Sequence, residues 1–282
     1  MPSIQIITDS ACDLPSDLIG KYGIEVVPLT IRIDGQEYVD QVDLSTEEFW
    51  AKCRNSPRLP ETAAPSPGSF LDSFKKAEAA GKDGVVCITI SSGLSATYQS
   101  ATNATAEEGL GIQVSVIDSK LVTLAHGFVV LAAAELAQTG ASIEQVSARV
   151  EECITQVHAF ATLDTLENLR KGGRIGGAQA LLGSVLSIKP VVQLIDGKVE
   201  PESRQRTRSK ALTHLIEATK ACGIPEVLGL AHGDASDIDT FHGQVSSAFP
   251  GVDIIVSRMG AVLGTHVGEG TMTLVSRMPS AR

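Results

Sequence analysis

Hydroxyl-bearing side chains gather in three short segments, each of which follows a predicted β-strand. The segments are Thr8–Ser10, Ser91–Ser95 and Asp118–Lys120. The carboxyl ends of parallel strands meet at one edge of an open α/β sheet, where such sheets bind their ligands. Ser91–Ser95 also leads into a predicted helix, whose first backbone N–H groups suit a carboxylate or a phosphate. We therefore expect a ligand site at this edge, although serine and threonine are also common helix caps.

The usual signatures of nucleotide, metal and hydrolytic chemistry are missing from the sequence. It contains no P-loop, no complete G-x-G-x-x-G, no nucleophile elbow and no H-E-x-x-H. Asp9 and Asp13 could hold Mg²⁺, but a hard cation normally needs more oxygen ligands, and Asp9 with Ser10 is typical of a cap on the next turn. No histidine adjoins Ser91–Ser95 in sequence, as a nucleophilic serine would need. We predict no metal site and no catalytic residue.

The composition is that of an acidic globular protein. The 282 residues carry a formal net charge of −10, with a pI near 5.1. Such a chain repels nucleic acid and anionic membranes, and no apolar run reaches the roughly 18 residues that span a bilayer. The five dispersed cysteines form no C-x-x-C pair, and the N-terminus does not resemble a signal peptide. We expect a cytoplasmic protein without nucleic-acid partners or a transmembrane segment.

The order of strand and helix signals predicts an α/β fold with two domains. Over residues 1–155, buried-type strands such as Gly84–Ile90 alternate with helices such as Gly93–Glu108, which is typical of a parallel sheet in an α/β/α domain. Glu25–Ile33 is predicted as one strand and the proline-rich Pro57–Pro67 as a loop.

Hairpin signals mix with helices in the second half. Val191–Ile195 and Lys198–Glu202 flank Asp196-Gly197, a strong hairpin signal, and a helix is predicted over Arg208–Ala221. This pattern predicts a C-terminal α/β domain with a mixed sheet over residues 156–282. No Pro/Ser-rich linker separates the halves, so we expect them to pack together.

Positive charge is concentrated in two clusters. The first contains Arg170, Lys171 and Arg174, and the second contains Arg204, Arg206, Arg208 and Lys210. Alternate positions of an extended segment share one face, so the second cluster is predicted to present its four side chains together. A solvated patch and a charge-steered docking surface are both consistent with this pattern.

Eight short motifs follow one another along nearly the whole chain. They are T-D-S (8–10), T-A-A-P-S-P (62–67), S-S-G-L-S-A-T-Y-Q-S-A (91–101), D-S-K (118–120), L-E-N-L-R-K-G-G-R-I-G (166–176), K-P (189–190), R-T-R-S-K-A (206–211) and G-T-H-V-G-E-G (264–270). Each is weak alone, but their order is specific. With these motifs the sequence resembles the DegV family, bacterial fatty-acid-binding proteins that serve as lipid-carrying subunits of fatty acid kinase.

The resemblance implies a two-domain fold that buries one long-chain fatty acid in a cleft between the domains. It implies that Thr62, Ser92 and His266 hold the carboxylate. Further pocket residues would be Ser10, Ser91, Gly93, Ser95 and Thr265. A fatty acid gains about 0.8 kcal/mol for each buried methylene, and two hydroxyls with an imidazole would satisfy its head without a buried arginine or lysine.

The resemblance also implies a partner and the absence of an activity of its own. A separate kinase subunit would phosphorylate the bound carboxylate to an acyl phosphate that feeds phospholipid synthesis. Its docking surface would include Arg170, Arg174, Arg206 and Arg208. The protein itself would be no enzyme and would carry no cofactor apart from the fatty acid.

Departures from the family pattern and two alternatives remain open at this point. Ala63, His126 and Glu269 replace residues that are usual in the family near the ligand, which leaves the preferred acyl chain undetermined. One alternative is a phosphotransferase of the dihydroxyacetone-kinase type, which shares the overall fold but needs a nucleotide site and a cluster of acids. The other is a hydrolase that pairs Ser92 or Ser95 with His266.

Overall fold

The computed structural model describes residues 2–107, 109–182 and 188–280, which form thirteen strands and ten α-helices. The strands are β1 Ile4–Asp9, β2 Glu25–Val27, β3 Thr30–Ile33, β4 Gln36–Val39, β5 Glu61–Ala63, β6 Gly84–Thr89, β7 Gln113–Asp118, β8 Val157–Thr162, β9 Lys189–Ile195, β10 Lys198–Gln205, β11 Val227–His232, β12 Asp253–Arg258 and β13 Met272–Arg277. The helices are α1 Ser16–Tyr22, α2 Thr46–Asn55, α3 Pro67–Ala79, α4 Thr97–Ala104, α5 Thr123–Ala137, α6 Ile143–Gln156, α7 Glu167–Lys171, α8 Arg208–Ala221, α9 Ile238–Ala248 and α10 Ala261–Val267.

A four-stranded parallel sheet organises the N-terminal part, in the order β2-β1-β6-β7. Every residue of β6 is buried, as expected for a parallel strand that is covered on both faces. Helices α3 and α4 pack on β6 together, and α5 and α6 form a second pair on the same strand. The predicted parallel α/β/α arrangement is confirmed.

A six-stranded mixed sheet organises the C-terminal part, in the order β10-β9-β8-β13-β11-β12. Strands β11 and β12 run parallel, and the other neighbours are antiparallel. The predicted turn at Asp196-Gly197 joins β9 to β10, with φ angles of +48° and +78° that suit a hairpin turn. The mixed sheet and this hairpin are therefore confirmed.

Helix α5 packs between the two sheets. It contacts β1 and β6 on one side and β8, β11 and β13 on the other. All residues from Thr123 to Ala134 are buried, because a helix that is apolar all round must be covered on every side. One hydrophobic core thus runs through both sheets, from Val86 to Val275. The domain boundary at residue 155 stays a prediction, and α6 passes directly into β8 at that point.

Three predicted elements differ from the structure. Glu25–Ile33 is divided into β2 and β3, which belong to different sheets, because Pro28 interrupts the ladder. Pro57–Pro67 contains β5, which pairs with β3 and completes a small antiparallel sheet with β4. The helix predicted over Gly93–Glu108 begins only at Thr97 and ends at Ala104, and Glu108 lies outside the described residues.

Helix α2 fastens α10 to the rest of the molecule. Ser45 and Glu48 form a capping box at its start. The indole Nε1 of Trp50 donates to the carbonyl of Met259 at 3.0 Å. Phe49 and Trp50 also pack so closely on α10 that a Cβ on Gly264 would lie 2.5 Å from the Phe49 ring. These contacts fix the helix that carries His266.

Candidate functional site

A cavity of about 280 Å³ lies where the N-terminal loops meet α10 and the segment after α7. One group of lining residues is polar: Thr62, Ser95, Arg174 and His266. The remaining lining residues are apolar: Leu29, Ala64, Ile90, Leu94, Ala96, Val122, Leu169, Val199, Val262, Leu263 and Val267. A lining of this kind suits a ligand with one polar head and an apolar body.

A second, smaller cavity of about 60 Å³, here called the inner chamber, lies beside the first. The two share five apolar lining residues: Val122, Leu169, Val199, Leu263 and Val267. The inner chamber adds mainly small and aliphatic side chains, among them Ala159, Ala161 and Met259. Because these five residues line both, the two chambers are adjacent, and the lining becomes apolar away from Thr62 and His266.

Thr62 and His266 meet at the polar end. The Nε2 of His266 lies 3.0 Å from the Oγ1 of Thr62. Pairing of Thr62 with Ile31 in the small sheet holds the threonine, and α10 holds the histidine. These two predicted carboxylate ligands are thus brought together by elements that are far apart in sequence.

The imidazole of His266 is neutral at physiological pH. Burial, with a smaller contribution from the charge of Arg174, lowers its pKa to about 4. Its Nδ1 is buried and has no hydrogen-bond partner among the residues described. Gly172 packs against that nitrogen, and a Cβ there would lie only 2.6 Å from it. A neutral ring offers one N–H to a ligand and one acceptor nitrogen.

Arg174 lies at the cavity, whereas the sequence analysis placed it on an outward docking surface. Its Nε donates to the carbonyl of Leu94 at 3.1 Å, and its Nη1 donates to the carbonyl of Gly172 at 2.6 Å. These bonds orient the half-buried guanidinium beside His266. Arg174 thus brings a cation to the wall of this cavity, whereas the resemblance implied a polar end without a buried arginine or lysine. The position of Arg174 in the sequence, after Gly172 and Gly173, did not indicate where its side chain would point.

Ser92 does not line the cavity, whereas Ser95 does. The Oγ of Ser92 donates to Asp118, and its backbone N–H donates to the same carboxylate at 3.1 Å. Ser95 belongs to the cavity wall, where its hydroxyl lies 2.8 Å from that of Thr97. The structure therefore places Ser95, and not the predicted Ser92, on the wall of this cavity.

Ser91 and Gly93 contact the β9–β10 hairpin. The Oγ of Ser91 donates to the carbonyl of Gly197 at 2.7 Å, and the N–H of Gly93 donates to the Ser91 hydroxyl. A Cβ on Gly93 would lie 2.7 Å from that carbonyl, so glycine permits the close approach. The N–H groups of residues 91–95 all have partners within the protein. The predicted cluster of free N–H groups is therefore wrong.

Two other predicted pocket residues have internal partners. The hydroxyl of Ser10 accepts from the N–H of Leu29 at 3.1 Å, and that of Thr265 donates to the carbonyl of Ala261 at 2.8 Å. Both side chains are buried. They support neighbouring backbone and do not line the cavity.

The carboxylate of Asp9 caps the turn that follows β1, as predicted. Its two oxygens accept from the N–H groups of Ala11 and Ile90, at 3.0 and 2.7 Å. Within residues 2–107, 109–182 and 188–280, no group of three or more His, Cys, Asp or Glu side chains is arranged to hold a metal ion.

The second basic cluster does not share one face. Strand β10 ends at Gln205, so Arg208 and Lys210 belong to helix α8. Arg208 forms a two-pronged pair with Asp237, with both distances 2.9 Å. Arg206 is exposed and has no ion-pair partner in the described part of the chain, and Arg170 is exposed beside Glu167.

Comparisons with known proteins agree with this architecture. The family model described as "Uncharacterised protein, DegV family" matches residues 3–277. The chain belongs to the DegV family. A DegV domain-containing protein of Listeria innocua is 35% identical over 275 residues, which cover 96% of this chain and 97% of the relative.

Two solved DegV-fold structures are similar over nearly their whole length. One is described as "Fatty Acid Binding of a DegV family Protein from Thermus thermophilus" and has a TM-score of 0.90 and 35% identity, covering 98% of this chain and 100% of that one. The other is a stearic-acid-binding protein from Eubacterium ventriosum, with a TM-score of 0.89 and 27% identity, covering 98% of each chain.

Within the part of the chain that the structure describes, no helix is both long and apolar enough to span a membrane.

Proposed function

We propose that this protein binds one long-chain fatty acid in the two adjacent chambers and presents its carboxylate to a separate kinase subunit. That subunit would form an acyl phosphate, which then feeds phospholipid synthesis. The observation that carries the binding step is the change from a polar lining at Thr62 and His266 to an aliphatic lining in the adjacent inner chamber. The fatty-acid-binding relatives from T. thermophilus and E. ventriosum support it.

The apolar part of the cavity would supply most of the affinity. Each methylene that leaves water contributes about 0.8 kcal/mol, before the cost of ordering the chain. Leu169, Val199 and Leu263 line both chambers and would contact the middle of the tail. Because no Phe, Tyr or Trp among the described residues lines either chamber, the wall suits a flexible aliphatic ligand.

The polar end would hold the carboxylate. A carboxylate in an apolar cleft is costly unless it is hydrogen-bonded and paired. We propose Thr62, Ser95 and His266 as its hydrogen-bonding partners and Arg174 as its counter-charge. Ser95 replaces Ser92 in this proposal because its side chain belongs to the cavity wall.

We propose that the protein catalyses no reaction itself. A serine hydrolase needs its nucleophile within hydrogen-bond reach of a base. The hydroxyls of Ser92 and Ser95 instead contact Asp118 and Thr97. His266 contacts Thr62, but its Nδ1 has no orienting partner among the residues described. A phosphotransferase of the dihydroxyacetone-kinase type would need a cluster of metal-binding acids. It is disfavoured because no such cluster lies within the residues that the structure describes.

Arg170 and Arg206 are the proposed contacts for the kinase subunit. Both are exposed, and Arg170 directly follows Leu169, which lines the cavity. Positive patches on an acidic protein steer an oppositely charged partner into register. Arg208 is omitted from this surface because Asp237 already satisfies it. We place the protein in the cytoplasm, where its five unpaired cysteines would remain reduced.

Extraction of the purified protein with organic solvent, followed by mass spectrometry, tests the binding step. We expect one long-chain fatty acid per protein molecule. An empty cavity that also fails to take up added fatty acid would overturn the proposal. Turnover of a simple ester, together with labelling by a fluorophosphonate, would favour the hydrolase instead.

A further inference from the structure

One residue that lines the inner chamber, Thr123, has a backbone conformation that threonine normally avoids. Thr123 lines this chamber and is 3% exposed. Its φ is +49°, in the left-handed region, where a β-branched residue is a genuine outlier. A strained backbone of this kind persists only where its surroundings hold it in place.

The carboxylate of Asp13 holds Thr123 in that conformation. Its Oδ2 accepts from the Oγ1 of Thr123 at 2.7 Å, and its Oδ1 accepts from the N–H of Gly260 at 2.8 Å. The hydroxyl of Ser257 donates to the backbone carbonyl of Asp13. A Cβ on Gly260 would lie 3.1 Å from Oδ1, so glycine leaves room for the carboxylate.

These two hydrogen bonds join two elements that line the inner chamber. Thr123 is the first residue of α5. Gly260 follows Met259, which lines the chamber, and precedes α10, whose Leu263 and Val267 line it too. Asp13 contributes no lining to either chamber. It therefore acts on the shape of the chamber through the residues that it binds.

We propose that Asp13 is a positioning residue for acyl-chain selection, which fixes the spacing of α5 and α10 at the inner end of the cavity. This inference rests on the proposed function, since it assumes that the tail occupies the inner chamber. An apolar pocket of fixed shape discriminates about 10–200-fold for one methylene. Without the brace, Thr123 would relax toward an ordinary φ and the chamber would accept tails of several lengths.

Four variants test the brace. Asp13→Gly removes the carboxylate at a position where φ is +47°, which glycine adopts without strain. Thr123→Val removes the hydroxyl and keeps the volume. Asp13→Asn is the conservative rescue, because its amide oxygen accepts from Gly260 while its NH₂ donates to Thr123. Asp34→Gly is the matched control, since Asp34 also has a positive φ but lies in the β3–β4 turn, outside the cavity lining.

Each protein is stripped of lipid and offered an equimolar mixture of saturated fatty acids that differ by two carbons, and the bound acids are quantified by mass spectrometry. We expect Asp13→Gly and Thr123→Val to lower the ratio of preferred to next-longer acid about tenfold, at unchanged total occupancy. Asp13→Asn and Asp34→Gly should keep the wild-type ratio.

Two results would overturn the inference while leaving the proposed function intact. The first is a wild-type ratio in Thr123→Val, which decides the matter even where Asp13→Gly does not fold. The second is an equal loss of selectivity in Asp34→Gly. A wild-type protein that binds none of the acids would instead remove the proposed function, and this inference with it.

Discussion

The Nε2 of His266 lies 3.0 Å from the Oγ1 of Thr62, although 204 residues separate them in the chain. The contact joins α10 to the short strand β5, which forms only by pairing with β3. It places a hydroxyl and a neutral imidazole at the polar end of an otherwise aliphatic cavity. The proposed carboxylate site therefore depends on packing between distant elements.

Removal of the Thr62 hydroxyl should weaken fatty-acid binding. We expect Thr62→Val to lower affinity about 5-fold, since one hydrogen bond contributes about 1 kcal/mol net. His266→Ala should have at least this effect, because it removes the ring that contacts Thr62. Titration with a fluorescent fatty acid measures both. Thr30→Val is the control, since it changes the same residue type on the neighbouring strand of the same sheet.

Arg174 should contribute more than either neutral partner. Hydrogen bonds to charged groups contribute about 1.5–3 kcal/mol, so Arg174→Met should lower affinity by about tenfold or more. Arg204→Met is the matched control, because Arg204 also donates to a backbone carbonyl, that of Ala180, but lies outside the cavity. Equal effects of the two changes on affinity would contradict the assignment of Arg174 to the head.

Much of the fold could be predicted because its signals are local. Helices α2 and α6 begin where Ser45 and Ser142 cap them, and both caps are complete capping boxes. The Asp196-Gly197 turn defines its hairpin in the same way. Such elements are encoded within a few residues, so a single sequence is enough to locate them.

Other features could not be predicted because they depend on residues far away in sequence. Strand β5 lies in a proline-rich segment and exists only through its pairing with β3. Arg208 was predicted to face outward with Arg206, yet it pairs with Asp237, 29 residues later. The direction of Arg174 likewise depends on the carbonyl of Leu94. The sequence identified Arg174 and Arg208 as charged residues but contained no signal for their partners.

Reversal of the charge at Arg206 should separate docking from lipid binding. We expect Arg206→Glu to reduce acyl-phosphate formation by the kinase subunit while fatty-acid retention stays at the wild-type level. Arg208→Glu provides the contrast, because it breaks the pair with Asp237 and should lower thermal stability. Equal loss of lipid and of coupling in Arg206→Glu would indicate a structural role for this residue.

Three buried carboxyl groups should make the free energy of unfolding fall as pH rises through about 6 to 7. Burial raises the pKa of Asp9 and Asp13 to about 7 and that of Asp40 to about 6. The folded protein therefore binds more protons at these groups than the unfolded chain does, so their contribution to stability decreases as pH rises toward these values. Burial lowers the pKa of His126 to about 3 and that of His266 to about 4. These two groups therefore make the free energy of unfolding rise with pH.

The two effects oppose each other up to about pH 7.5, one unit above the ordinary pKa of histidine, but the carboxyl groups make the larger contribution above pH 6.5. We expect the free energy of unfolding to fall by about 1–2 kcal/mol between roughly pH 6.5 and pH 8, from the linkage of about 1.4 kcal/mol per proton per pH unit. Urea unfolding at several pH values measures this. Asp9→Asn cannot lose a proton, so it should reduce the slope by about half. A slope unchanged in this variant would show that Asp9 is already ionised throughout the range.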